Sequence, residues 1–424
     1  MKERRRAAGG GAITLQVMVI LVPVVFGLMG FAVDLGRLYM VRGELKAAAN
    51  AMALAAAQQL IGTDVSLDLA TASARLALSS SGGLQNKYDF GGLPIGETTG
   101  QLASEAPDPT YYETVTAAFG EGEGGGSEAS GGTTARHVRV RITAEAPLLF
   151  WGFLPQASER KAPIAVAAVA GRSAPLCTAC GIEVVAVAAP DASDETDFGF
   201  VANTRYTLGY VCNGAPQPGP LQPAAARIPY LVINRFNTDA QIFAGEATQA
   251  LRIGAQGLPA STSAARACVS VNAAETIWES AVAIGCNQNS VPAVVTGMLC
   301  GLATRFESDL QTNCLTIAES ETLASIYTPD TDTTDVEDYA AYTGNGRRVL
   351  TVAIVDSLAN PQAMTVLGFR QFLLEPNLNS TTTSTLDANG RFNALYIGSV
   401  VPLKQGRFDG CTIASGPGKV VLHQ

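Results

Sequence analysis

The residues that could carry chemistry are few and unevenly spread along the 424-residue chain. Cys177-Thr-Ala-Cys180 has the spacing of a zinc knuckle or a redox dithiol. No histidine follows Cys180, which excludes covalent haem attachment by the usual motif. A thioredoxin-like site would need a helix opening at Cys177, and Pro175 with the Thr-Ala pair gives little support for one. A four-thiolate zinc site is the other metal reading. The preferred reading is structural: Cys177 and Cys180 are disulfide-bonded, with each other or with distant partners. The remaining cysteines are Cys212, Cys268, Cys286, Cys300, Cys314 and Cys411, so all eight fall between residues 177 and 411. An even set confined to one stretch reads as a disulfide framework made in an oxidising compartment. Eight cysteines allow on the order of a hundred pairings, so connectivity is not legible.

The chain has two histidines, His137 in a predicted strand and His423 near the other end, too few for a well-supplied Ser-His-Asp or two-histidine centre. Nothing sets two carboxylates at a defined separation for glycoside chemistry. The densest acidic stretch offers Asp330, Asp332, Asp335, Glu337 and Asp338 within nine residues, hard oxygens of the kind a calcium loop uses. It lacks the glycine and terminal glutamate of an EF-hand, and a solvated loop is the competing reading. A glycine-rich run over 120–132 carries acids and no following lysine, so it would repel a phosphate and reads as a loop. The expectation is a protein without catalytic residues or cofactor.

The elements around these residues are more informative. Ala12–Val33 is an uncharged 22-residue run, about 33 Å long as a helix, which is enough to cross a bilayer. Lys2, Arg4, Arg5 and Arg6 precede it, and positive flanks stay cytoplasmic, so everything after Val33 is expected outside the cytoplasm. Pro23 is tolerated in such a span. A cleavable signal is the alternative, with Gly30-Phe31-Ala32 as small residues, but the run exceeds the ~7–15 residues of a signal core. Net charge is −9 with pI about 4.9, and the first residues hold the only basic cluster, so nucleic acid is not an expected partner.

Beyond Asp34, Leu38, Val41, Leu45, Ala48, Met52 and Ala55 recur at helical spacing, and Gly62 followed by Thr63-Asp64 predicts a stop and a second helix over 63–78. Arg205–Cys212, residues 228–236 and Val349–Val355 read as strands, while residues 275–283 and 294–306 have helical spacing. Small and Gly/Pro residues place a domain boundary at 172–176.

The string Ala-Val-Asp34-Leu-Gly36-Arg-Leu-Tyr39, then Arg42-Gly-Glu-Leu45-Lys-Ala-Ala-Ala and Ala53-Leu-Ala-Ala-Ala57, resembles the N-terminal region of TadG-like proteins of the tight-adherence (Flp) pilus system. His137–Thr143, Ala146-Pro-Leu-Leu-Phe150-Trp and Ala165–Ala170 resemble the strand, turn and closing strand of pilin-like proteins, and Arg347–Asp356 with Val366–Glu375 is a weaker likeness. Taken with the residue patterns above, which give residues 1–11 as a cytoplasmic head, 12–33 as a transmembrane helix and 172–424 as a disulfide-rich mixed α/β domain, the resemblance makes 34–171 a pilin-like helix-plus-sheet domain and the whole an α+β fold. It implies a non-enzymatic part of a pilus assembly or adhesion system. Its partners would be the inner membrane and pilus subunits or assembly proteins. Homo- or hetero-oligomerisation through the N-terminal helix stays open. An anchored periplasmic redox or ligand-binding protein unrelated to pili is the alternative. Processed pilin-like members carry a glutamate five residues after the cleaved glycine, whereas Gln16 stands at that spacing from Gly11, so a retained anchor is expected. Some TadG-like proteins hold a metal with Asp-x-Ser-x-Ser; here Asp191-Ala-Ser193-Asp194-Glu195 lacks the last serine, and no metal site is implied.

Overall fold

The computed structural model describes residues 10–77, 108–120, 126–148, 150, 161–183, 185–212, 215–216, 226–232, 268–272, 274–275, 295, 299, 302–303, 305–306, 329–332, 338–358, 364–376 and 390–423. Helix α1 spans Gly10–Gln58 without interruption, Pro23 included. At 1.5 Å per residue it is about 74 Å long. Its second half buries Val41, Leu45, Ala49, Met52, Ala53, Ala56 and Ala57. Of the stripe expected from spacing, Val41, Leu45 and Met52 are buried, while at Ala48 and Ala55 burial passes to Ala49 and Ala56, because a period of about 3.6 drifts across any fixed pattern of threes and fours.

That face lies on an antiparallel sheet of β1 (Thr110–Tyr112), β2 (His137–Pro147), β3 (Lys161–Arg172) and β15 (Val420–His423), in the order β1-β2-β3-β15. Alternation along β2 turns Val138, Val140, Ile142, Ala144 and Ala146 to the helix and leaves Arg141 and Thr143 exposed. Small residues on both faces let helix and sheet approach closely, with Ala49, Ala53, Ala56, Ala168 and Ala170 in one core. Helix α1 gives way to a turn through Gly62, at φ +85°, and α2 follows at Ser66–Leu76, shorter than the expected 63–78. The Thr63 amide donates to Ser66 Oγ at 2.8 Å, tying the turn that precedes α2. A short α3 (Val115–Phe119) is capped by Thr114.

The second body is built from β4 (Thr178–Cys180), β5 (Val185–Ala188), β6 (Arg205–Cys212), β7 (Ala215–Pro216), β8 (Ala226–Val232), β9 (Cys268–Ser270), β10 (Ala274–Glu275), β11 (Val349–Val355), β12 (Met364–Glu375), β13 (Arg391–Gly398) and β14 (Gly406–Arg407). Strands β11, β5, β8, β6, β13 and β12 pair in that order, and β12 pairs back to β11, which closes a ring. Two of its pairings are parallel, β11 with β5 and β6 with β8. Its core is aromatic: the Phe200 ring lies 5.7, 5.4 and 5.1 Å from Tyr206, Phe372 and Tyr396. The expected strands at 205–212 and 349–355 are present with those bounds. Where a helix was expected from residue 275, Ala274–Glu275 instead pairs with Thr365 and Met364, and residues 276–283 lie outside the described residues. Of the segment 294–306, Val295, Leu299 and Leu302 are helical and buried in the ring's core.

Candidate functional site

The feature with the clearest functional geometry is α1, which is two surfaces in one helix. From Leu15 to Leu35 its apolar side chains face outward: Leu15 is 70% exposed, Ile20 69%, Met29 61% and Val33 51%. A contiguous apolar surface of this extent marks a contact with membrane or partner. Among the described residues it is the one helix long and apolar enough to cross a membrane. Within Leu15–Leu35 the residues that are covered are Gly30 and Asp34, and Phe150 meets both. The Phe150 amide donates to Asp34 Oδ2 at 2.9 Å. A Cβ added at Gly30 would lie 2.8 Å from the Phe150 Cβ and closer still to its ring, so only glycine admits that ring here.

At its other end α1 meets the second body. The Asp64 amide donates to the Ala340 carbonyl at 2.8 Å and Tyr339 Oη to the Ile61 carbonyl at 3.0 Å. Arg172 donates to the Ser399 carbonyl, and β15 pairs with β3 from Val420↔Arg172 to His423↔Val169. A cleft of about 920 Å³ runs along this junction, lined by Gln58, Gln59 and Ile61 on one side and by Gly346, Arg347 and Lys404 on the other.

Residues 11–59 match the family model described as "Putative Flp pilus-assembly TadE/G-like". This stretch is a TadE/G-like segment. It coincides with α1 almost end to end, so the family match covers both the exposed apolar run and the buried stripe. No curated protein and no solved structure matches the chain.

Outside the TadE/G-like segment, Cys177 and Cys180 do not bond to each other. Cys177 pairs with Cys411 and Cys180 with Cys268, across sequence separations of 234 and 88. Cys180 and Cys268 are opposite one another in β4 and β9, and the Cys177 amide donates to the carbonyl of Arg407 in β14, so both bonds staple the small sheet β14-β4-β9. The side chain of Cys212, and Cys286, Cys300 and Cys314 altogether, lie outside the described residues.

The acidic stretch is only partly described, since Asp335 and Glu337 lie outside the described residues. Asp330 is buried and accepts from Tyr342 Oη and from the Arg348 amide, with Arg348 Nε 3.7 Å from its Oδ1. Burial and the adjacent Asp330 carboxylate push the Tyr342 hydroxyl far above the usual phenol range. Asp332 accepts from the Thr343 amide, and Asp338 caps the 3-10 turn Tyr339–Ala341. Among the described residues no three His, Cys, Asp or Glu side chains are grouped to hold a metal ion. Asp191 folds onto Ser193, accepting from its amide and hydroxyl at 2.9 and 2.6 Å, and Asp194 takes the amides of Thr196, Asp197 and Gly199. Buried Arg370 holds this loop through the Thr196 carbonyl and lies 4.3 Å over the Phe198 ring.

The contacts that sequence reasoning missed are those between distant segments. His137 and His423 face each other with ring centroids 5.2 Å apart. Phe150 on Gly30 and Asp34, and the buried Arg348 beside Asp330, carry no signature in spacing.

Proposed function

We propose that the protein is a membrane-anchored, non-enzymatic component of a tight-adherence pilus assembly or adhesion system. Residues 12–33 cross the inner membrane, residues 1–11 stay in the cytoplasm, and the bulk stands in the periplasm or at the cell surface. The observation that carries this reading is the continuity of α1: one TadE/G-like helix passes from an exposed apolar span into the buried stripe of a helix-on-sheet unit. That unit is the pilin-like part, residues 34–171, and the stapled body beyond it presents a surface to pilus subunits or assembly proteins. Two bonds from the Cys-x-x-Cys residues to separate distant cysteines weigh against a working dithiol.

Protease added to spheroplasts should digest the bulk and leave a short protected fragment, and protection of the whole chain would overturn the topology. Deleting the gene should remove surface pilus filaments, with recovery by the intact chain and not by one lacking residues 12–33. Unchanged filaments in the deletion strain would overturn the pilus assignment.

A further inference from the structure

We propose that His137 and His423 form a two-nitrogen site for a borderline divalent transition ion of the zinc and copper class, and that the bound ion pins β15 to the first sheet. The site lies outside the TadE/G-like segment and is independent of the pilus reading. Spacing gives no hint of it, because these two residues, the chain's only histidines, stand far apart in sequence. The sheet brings them together. His137 opens β2 and pairs with Gly171 of β3, while β15 lies along the other side of β3 with His423 opposite Val169. The two imidazoles meet across β3, with ring centroids 5.2 Å apart and planes at 67°. A Cβ at Gly171 would overlap His137 Nδ1, so the glycine admits the ring over the strand.

Three observations favour a metal over a ring contact alone. His137 Nδ1 and His423 Nε2 are both buried, and among the described residues neither has a hydrogen-bond partner. Buried polar atoms are nearly always paired, and one ion would supply a partner to both. The separation also fits: two imidazoles on one tetrahedral ion, with bonds of about 2.0–2.1 Å, hold their centroids about 5 Å apart. Finally, there is a way in. A cavity of about 750 Å³, lined by Val115, Phe119, Leu422 and His423, opens beside the pair and gives water room to complete the coordination shell. Burial first, then His423, Arg172 and Arg136, lower the His137 pKa to about 4, so its ring is neutral at physiological pH, as a metal ligand must be. Imidazole nitrogen suits zinc and copper, whereas calcium and magnesium take oxygen. Arg136 and Arg172 are turned onto the carbonyls of Ala135 and Ser399, and their charge makes this site weaker than one flanked by carboxylates.

The test uses the full untagged chain in detergent micelles, with any free thiols alkylated beforehand so that no thiolate competes for the ion. Because the chain has only these two histidines, nitrogen-15 histidine labelling reports on this pair alone. Zinc chloride should move the ring-nitrogen signals of both residues together and slow hydrogen exchange at the β15 amides. His423→Ala removes a ligand, and Gly171→Ala displaces the His137 ring while keeping both ligands. Losing a group that merely supports a ligand weakens metal affinity about 10–100-fold, so each variant should weaken zinc binding by calorimetry at least about tenfold. Zinc that moves neither histidine signal of the natural chain, or one alone, would overturn the site whether or not the variants fold. Equal zinc affinity in the natural chain and both variants would place the ion elsewhere and overturn it too. Movement of both signals with unchanged β15 exchange would overturn the pinning.

Discussion

Phe150 and Asp34 are 116 residues apart, yet the Phe150 amide donates to the Asp34 carboxylate at 2.9 Å and the Phe150 ring lies on Gly30, one helical turn earlier. The bond fixes the angle at which α1 leaves the sheet, because the helix is gripped at Gly30 and Asp34 and again from Val41 onward. A hydrogen bond to a charged group contributes roughly 1.5–3 kcal/mol. Asp34→Ala should therefore expose the Phe150 amide to faster hydrogen exchange and lower Tm in detergent. Asp34→Asn, which keeps an acceptor, should do less. Gly30→Leu should act on the same contact by displacing the ring. Unaltered exchange at Phe150 in both Asp34→Ala and Gly30→Leu would remove the grip.

Inside the second body, Arg348 is fully buried between the Phe306 and Tyr342 rings, at 5.4 and 5.5 Å, with Asp330 as its nearby carboxylate. Taking away one member of a buried ion pair leaves an uncompensated charge and costs about 3–5 kcal/mol. Asp330→Ala should destabilise by that order in urea unfolding, and adding Arg348→Met should recover part of the loss. A loss of less than about 1 kcal/mol for Asp330→Ala would show the pair to be weak. Calcium that raises Tm for the natural chain and not for Asp330→Asn would return this carboxylate to the role of a cation ligand.

What could be read from sequence was what depends on local periodicity. The uncharged run to Val33, the stripe at Val41, Leu45 and Met52, the alternation of β2, and the strands β6 and β11 all repeat along a single segment, so a window of residues contains the whole signal. The cysteines announced disulfides, but the partners of Cys177 and Cys180 lie 234 and 88 residues away, a distance on which spacing is silent. The same holds for β15, which joins the first sheet from the far end of the chain, and for β13, which pairs with β6 from Arg391↔Gly209 to Leu395↔Arg205. Pairing between distant strands is decided by packing across the fold, and no local pattern encodes it.

Both described disulfides act on one corner. Cys177–Cys411 ties the segment after β14 to the strand that opens the second body, and Cys180–Cys268 crosses β4 and β9. Each closes a long loop in the unfolded chain, for which removal typically costs about 2–5 kcal/mol. Cys411→Ser should lower Tm and make the 405–418 segment sensitive to limited proteolysis, while leaving the stripe of α1 on β2 and β3 intact by hydrogen exchange. Cys268→Ser should loosen β9 instead. If reduction of the natural protein left Tm unchanged, the bonds would not be supporting the fold.

The last prediction concerns the two histidines. Gly171 of β3 stands between β2 and β15, and a Cβ there would come within 2.8 Å of His137 Cγ, so the missing side chain is what lets the His137 ring lie across the strand toward His423. Burial, then His423, Arg172 and Arg136, pull the His137 pKa down from 6.5 to about 4, and burial lowers His423 as well. The sign follows from proton uptake. Between pH 6.5 and about 4 the unfolded chain binds a proton at His137 that the folded chain does not, so stability is complete above 6.5 and falls as pH drops through that window. Carboxylates also destabilise the fold in acid, so the comparison must be with a variant. His137→Gln should flatten the dependence of Tm on pH between 6.5 and 4 relative to the natural chain. In that same window the β15 amides of the natural chain should lose exchange protection before those at the centre of the ring. Parallel Tm curves for the two proteins would show that the pair does not couple the last strand to pH.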